Sequence, residues 1–127
     1  MTETLRFNIY VKVKEGRLED FKQTAKDWSA YQLKRRPDIL SYEWFFLDND
    51  QSLALIMEVY ENSEAMIATY KALDESDEHT EETDYPYEMI KTQVCGKMSE
   101  ELKKIMNKGK SPIEYYTHIE GLSLIHI

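Results

Sequence analysis

The sequence predicts an α+β fold of the ferredoxin-like, split βαβ kind: a four-stranded antiparallel sheet with its helices on one face. Three observations carry this. Residues 6–14 (RFNIYVKVK) alternate strictly, with Phe7, Ile9, Val11 and Val13 set against Asn8, Tyr10 and Lys12, as a half-buried strand requires. Residues 40–60 hold two apolar runs separated by Asp48-Asn49-Asp50-Gln51, whose side chains tolerate left-handed backbone and bond their own main chain, so they mark a hairpin turn. Between and after these segments, apolar residues recur at helical spacing.

Taken in order, the first strand ends at Glu15-Gly16, and a helix follows from about Arg17 to Arg35 with Leu18, Phe21, Ala25 and Trp28 on one stripe. Glu19 and Asp20 in its first turn and Lys34-Arg35-Arg36 at its end both suit the helix dipole. Pro37 ends it, because the residue before a proline is forced out of the helical region. In the hairpin, setting Leu47 opposite Ser52 pairs Phe46 with Leu53, Trp44 with Leu55, Tyr42 with Met57 and Leu40 with Val59, making one face wholly apolar. The other face then carries Ser41–Glu58, Glu43–Ile56 and Phe45–Ala54. Asn62 is the expected N-cap of a second helix whose stripe is Met66, Ile67, Tyr70 and Leu73. A third helical region is expected over about Pro86 to Asn107, interrupted near Gly96, with Ser99 capping its second part. Ile113 to Ile119 reads as the last strand, and the tail 122–127 is again apolar.

Length and composition bound the function. At 127 residues, 42% of them apolar, the chain is a single domain, 1–127, with an inserted acidic and helical stretch over about 75–98. The net charge is −8, yet Asp74 to Asp84 alone holds seven carboxylates with no Lys or Arg, leaving about −1 elsewhere. Without a basic face the chain has no footprint for nucleic acid. No apolar run reaches the roughly 20 residues that span a bilayer, and no secretion signal is visible, so a cytoplasmic protein without a membrane partner is expected. One cysteine, Cys95, excludes an intrachain disulfide and a cysteine-based metal cluster.

Several segments resemble the antibiotic-biosynthesis-monooxygenase (ABM) type of dimeric α/β barrel. They are Lys14-Glu15-Gly16 leading into a helix with Phe21; Pro37-Asp38-Ile39-Leu40-Ser41-Tyr42, similar to the Pro-Gly entry to strand two with Asp38 in place of glycine; and Glu58-Val59-Tyr60-Glu61-Asn62-Ser63-Glu64-Ala65, similar to the Glu-x-Trp/Tyr-x-Asn/Asp-x-x-Ala junction into helix two. The resemblance implies a homodimer and a small-molecule pocket. In one branch it implies a monooxygenase without metal or flavin that deprotonates an electron-rich phenol or quinol for reaction with oxygen. The haem-degrading branch is set aside, because its Asn, Trp and His positions fall on Ile9, Thr69 and His79, and only the histidine matches. A binding or accessory protein without catalysis is the alternative.

The candidate residues follow. His79 is the candidate general base, since imidazole titrates near neutrality, although the seven carboxylates around it favour its charged form. Trp28, Tyr31, Tyr42, Trp44 and Tyr70 are the candidate substrate-binding residues, or else plain aromatic core. Glu43 and Glu58, placed on one face, could share a proton, or pair with Lys12. Tyr10, Phe45, Leu47, Ile56 and Tyr60 are the expected dimer interface, since together they leave an apolar patch on the sheet face away from the helices. No cofactor and no metal site is expected; the acidic stretch lacks the glycine and ligand order of an EF-hand loop.

Overall fold

The computed structural model describes residues 4–35, 38–74, 84–109 and 111–122. Five strands and three helices follow in the order β1 (Leu5–Val13), α1 (Leu18–Leu33), β2 (Ile39–Leu47), β3 (Asp50–Tyr60), α2 (Ser63–Asp74), β4 (Tyr87–Cys95), α3 (Glu100–Met106) and β5 (Ile113–Tyr116). The strands form one sheet in the order β2-β3-β1-β4-β5. All neighbours are antiparallel except β4 and β5, which run parallel from Thr92↔Ile113 to Cys95↔Tyr116.

The sheet therefore has five strands where four were expected, and the difference lies in residues 87–95. Tyr87, Ile90, Val94, Met98 and Leu102 are spaced like a helical stripe. The segment up to Cys95 is nevertheless a strand, laddered antiparallel to β1, and a β-bulge opposite Tyr10/Val11 shifts its pairing phase partway along, which breaks the alternation of its apolar residues. The expected long third helix shrinks to α3, and the expected last strand becomes an edge strand added beside β4.

Two helix N-termini form as their sequences dictate. Asn62 Oδ1 accepts from the Ala65 amide at 2.9 Å, and Ser99 Oγ accepts from the Leu102 amide at 3.1 Å. The Ser99 amide in turn donates to Ser63 Oγ at 3.0 Å, tying the starts of α2 and α3 together.

The core lies between the helices and one face of the sheet, in two clusters. One gathers Leu5, Phe7, Tyr60 and Val94 under α2 and α3, with Met66, Ile67, Leu102 and Met106 packed onto them. The other gathers Val11, Val13, Ala54 and Ile56 under Phe21 of α1. Tyr42 packs against both clusters and so marks the seam between them. The C-terminal end of α1 is held to α2 by Arg35 Nε donating to Thr69 Oγ1 at 3.2 Å.

The hairpin register differs from the expected one by a residue, with a large consequence. Phe46 pairs with Ala54, Trp44 with Ile56, Tyr42 with Glu58 and Ser41 with Val59. The turn is tighter than four residues: Leu47 pairs with Asp50, and β3 from Asp50 to Ala54 bulges opposite Phe46–Leu47. Asp50 Oδ1 stabilises that bulge by accepting from the Ser52 amide at 2.9 Å and from its hydroxyl at 2.6 Å. Because side chains alternate along a strand, the slip exchanges the faces of β3 against β2. Ala54, Ile56, Glu58 and Tyr60 now face the helices with Tyr42 and Trp44. Leu53, Leu55 and Met57 lie on the outer face with Glu43 and Phe45.

Candidate functional site

The exchange of faces puts a carboxylate in the core. Glu58, in the middle of the apolar run Ala54-Leu55-Ile56-Met57-Glu58-Val59-Tyr60, is only 8% exposed, and it is flanked across the sheet by Phe7 on β1 and Tyr42 on β2. The Tyr60 hydroxyl, two residues along the same face, donates to Glu58 Oε1 at 2.6 Å. Burial pushes the Glu58 carboxyl up from 4.5 to about 7, and the Tyr60 hydrogen bond holds it lower than burial alone would.

Four phenols feel the charge of this carboxylate. Tyr60, Tyr42, Tyr70 and Tyr87 are all raised above 10, first by burial, with the Glu58 charge adding to each. They stay protonated, and Tyr60 donates its hydrogen to Glu58 Oε1. Around Tyr42 an aromatic wall continues: Tyr42 to Trp44 at 6.2 Å between ring centroids, Trp44 to Phe21 at 5.2 Å, Trp44 to Tyr87 at 6.1 Å and Phe21 to Phe46 at 5.7 Å. At the β2 edge of the sheet a cleft of about 140 Å³ opens between Phe21, Lys22 and Ala25 of α1 and Trp44, Phe45 and Phe46 of β2. Glu58 does not line this cleft; a buried carboxyl near neutrality with one phenolic donor is an arrangement that acid–base chemistry uses.

No family model matches this chain, and no curated protein matches its sequence. Solved structures do resemble it. MupZ from Pseudomonas fluorescens superposes over 96% of this chain and 95% of its own, with a TM-score of 0.73 at 20% identity. A Bacteroides thetaiotaomicron protein of unknown function, suggested to be an oxidoreductase, is 27% identical over 56% of this chain and 74% of its own, with a TM-score of 0.51. A Nitrosomonas europaea protein proposed to be an antibiotic biosynthesis monooxygenase covers 79% of this chain and 95% of its own, at a TM-score of 0.50 and 16% identity. The fold is ABM-like.

Within this ABM-like chain the residues singled out from the sequence are only partly assembled. Tyr42 and Trp44 stand together on β2, and Tyr70 joins them through the field of Glu58. Trp28 and Tyr31 pair with each other along α1, with ring centroids 6.0 Å apart. His79 lies outside the described residues, as does most of the acidic stretch. Asp84, at its end, bridges to Lys14 at 3.2 Å and Arg17 at 2.9 Å. Among the described residues, no group of three or more His, Cys, Asp and Glu is placed to hold a metal ion, and no helix is long and apolar enough to cross a membrane.

Two expectations are corrected by the register. Glu43 and Glu58 are on opposite faces, so they cannot share a proton, and Glu58 has the Tyr60 hydroxyl as its partner instead of Lys12. Ile56 and Tyr60, expected on the outer face, are 3% and 0% exposed in the core. Of the other residues expected at an interface, Phe45 and Leu47 are exposed. Tyr10 is half-buried, with its hydroxyl donating to Gln93 Oε1 at 3.1 Å and the Lys91 ammonium 5.2 Å from its ring centroid. The sequence signal for the site was a single ionisable residue in an otherwise apolar strand, followed two residues later by a tyrosine.

Proposed function

We propose that this chain is an enzyme of the cofactor-independent oxygenase kind, in which Glu58 removes the proton of a small phenolic or quinol-like substrate. The observation that carries this is the Glu58 carboxyl, buried, raised to about 7 and hydrogen-bonded to Tyr60 at 2.6 Å among aromatic rings. A base with that affinity for protons is half-ionised near neutrality, where proton transfer is most efficient. Deprotonation makes the substrate electron-rich enough to reduce oxygen. In the balanced reaction an activated CH₂ carbon of the phenolic substrate becomes a carbonyl and gives up four electrons; one oxygen atom enters the product and the other leaves as water.

The working form in this reading is a homodimer joined through the outer sheet face, where Phe45, Leu47 and Met57 are 45%, 50% and 39% exposed. A second copy would cover this apolar patch in a self-complementary way. Oxygen uptake is the test, with a panel of hydroxylated anthrones, which carry the CH₂ carbon that this reaction needs. Glu58→Gln should lower turnover by roughly a hundredfold, the usual weight of a general base. No uptake with any member of the panel, or equal rates for the variant, would remove the reaction.

A carrier without catalysis is the second reading. What favours it is the near-complete cover of Glu58 together with the occupation of its Oε1 by Tyr60, which also describes a structural carboxyl. That reading expects ligand binding with unchanged affinity in Glu58→Gln and no oxygen consumption.

A further inference from the structure

Two clusters make up the core, and Glu58 sits where they meet. On β3 its neighbours along the same face are Ile56, in the cluster under α1, and Tyr60, in the cluster under α2 and α3. Its cross-strand neighbour Tyr42 packs against both. The helices on the two sides of this boundary are seated very unequally. α2 buries Ala65, Met66, Ile67 and Thr69, and α3 buries Leu102 and Met106. α1, which packs chiefly on the edge strand β2, buries only Phe21 and Gln32 of its 16 residues. Phe21 fixes the first half of that helix, its ring centroid lying 5.2 Å from Trp44, 5.7 Å from Phe46 and 5.8 Å from Tyr87. The second half, residues 25–33, has no buried apolar side chain. Trp28 and Tyr31 pair with each other there, and the buried side chain is Gln32, whose Oε1 has no partner. An unbonded buried acceptor is a cost that the seated helix carries and that water would relieve. A helical stretch this short, without tertiary packing, is marginal in water. A bond from Arg35 Nε to Thr69 Oγ1, 3.2 Å long, ties this end of α1 to α2.

We infer that residues 25–33 of α1 are the gate to Glu58: they unwind from the C-terminal end of the helix while Phe21 keeps the first half in place, and the Arg35–Thr69 bond is the latch. Glu58 is only 8% exposed with the helix seated, and it does not line the cleft beside Phe21. A substrate therefore reaches it only after some element moves. Local opening starts where buried apolar contacts are fewest, which on this boundary is the second half of α1. Its unwinding uncovers the boundary at Tyr42 and Glu58 while each cluster keeps its own packing. This deepens the proposed function and rests on its placing of the chemistry at Glu58.

Two measurements on the whole chain test the gate. Hydrogen exchange read by mass spectrometry follows the unwinding. Dicyclohexylcarbodiimide, which labels protonated carboxyls in apolar surroundings, follows access to Glu58 at mildly acidic pH, with the label placed by peptide mapping. Amides of residues 25–33 should exchange roughly tenfold or more faster than those of α2. Thr69→Val removes the acceptor of the latch. It should speed both the exchange of 25–33 and the labelling of Glu58 by the same factor, roughly threefold to tenfold, the worth of one hydrogen bond. Exchange in β1 and β3 should not change. Arg35→Met should act alike from the other side of the bond. Ser63→Ala, which removes the acceptor of the Ser99 amide between α2 and α3, should leave the labelling rate of Glu58 where it was. Exchange in 25–33 as slow as in α2, no label on Glu58, or a labelling rate indifferent to both latch variants would each overturn the inference. An equal rise with Ser63→Ala would overturn it too, because access would then come from unfolding of the whole chain. Labelling needs no turnover. The expected labelling without oxygen uptake would keep the gate and remove the reaction, whereas uptake that Glu58→Gln abolishes, with labelling indifferent to the latch, would do the reverse.

Discussion

Replacing Glu58 with glutamine should stabilise the protein at alkaline pH and do progressively less as the pH falls. The carboxyl is raised from 4.5 to about 7 in the folded chain. Between those values the unfolded chain has released the proton and the folded one keeps it, so wild-type stability falls as pH rises through this window and levels off above about 7. A shift of this size corresponds to about 3 kcal/mol at roughly 1.4 kcal/mol per pH unit. With an unfolding entropy near 2.1 cal/mol/K per residue, that is about 11 °C in melting temperature for a chain of this length. Glutamine keeps an acceptor for the Tyr60 hydroxyl but brings an amide hydrogen into the core, which subtracts an amount that does not vary with pH. The decisive quantity is therefore the difference between variant and wild type, followed by circular dichroism melts at half-unit steps from pH 4.5 to 8.5. It should rise in favour of the variant by several degrees and then flatten. Parallel melting curves would show that Glu58 ionises normally, and the buried acid would have to be given up.

Tyr60→Phe removes the hydrogen bond that holds the Glu58 carboxyl down, so its titration, followed by carboxyl NMR, should move to higher pH; a shift downward would contradict the assigned cause. Asn62→Ala deletes the cap of α2 and should cost about 1 kcal/mol in urea unfolding, with no loss at all meaning that the cap is dispensable. Gly96→Ala forces a side chain onto a backbone at φ +125°, where its Cβ would meet Thr4 O at 2.8 Å and Leu5 Cδ2 at 3.0 Å. A cost of about 1–3 kcal/mol is expected from the strain, and unchanged stability would mean this corner relaxes freely. Phe45→Asp should leave the fold intact and lower self-association by light scattering. Ile56→Asp should unfold the monomer, since it buries an unpaired carboxylate; a folded, monomeric Ile56→Asp would return that residue to the outer face.

Much of the fold was legible because strict alternation in β1, cap residues before α2 and α3, and the stripes on α1 and α2 are local signals. Two features were not local. The phase of β4 is set by a bulge against β1, some 80 residues away in sequence, and its apolar residues consequently imitate a helical repeat. The hairpin register is set by the Asp50–Ser52 bonds beside the turn, and nothing in the apolar pattern distinguishes a four-residue turn from a tight one with a bulge. A turn read long places Glu58 outside beside Glu43, where it looks like an ordinary surface charge. Of the candidate site, the placing of Tyr42 and Trp44 on one face of β2 was legible, whereas the burial of Glu58 depended on a slip of one residue.

The central position of β1 also has a consequence for how the chain is made. Its pairing with β3 is available once residue 60 has emerged, yet its other edge belongs to residues 87–95. At about 5–20 residues per second, synthesis leaves that edge open for roughly 2–7 s. During this interval a β-hairpin and one strand, with Phe7 and Val11 on their apolar side, stand without the strand that completes them. Any slowing of translation between Asp74 and Tyr87 lengthens the exposure of that open edge.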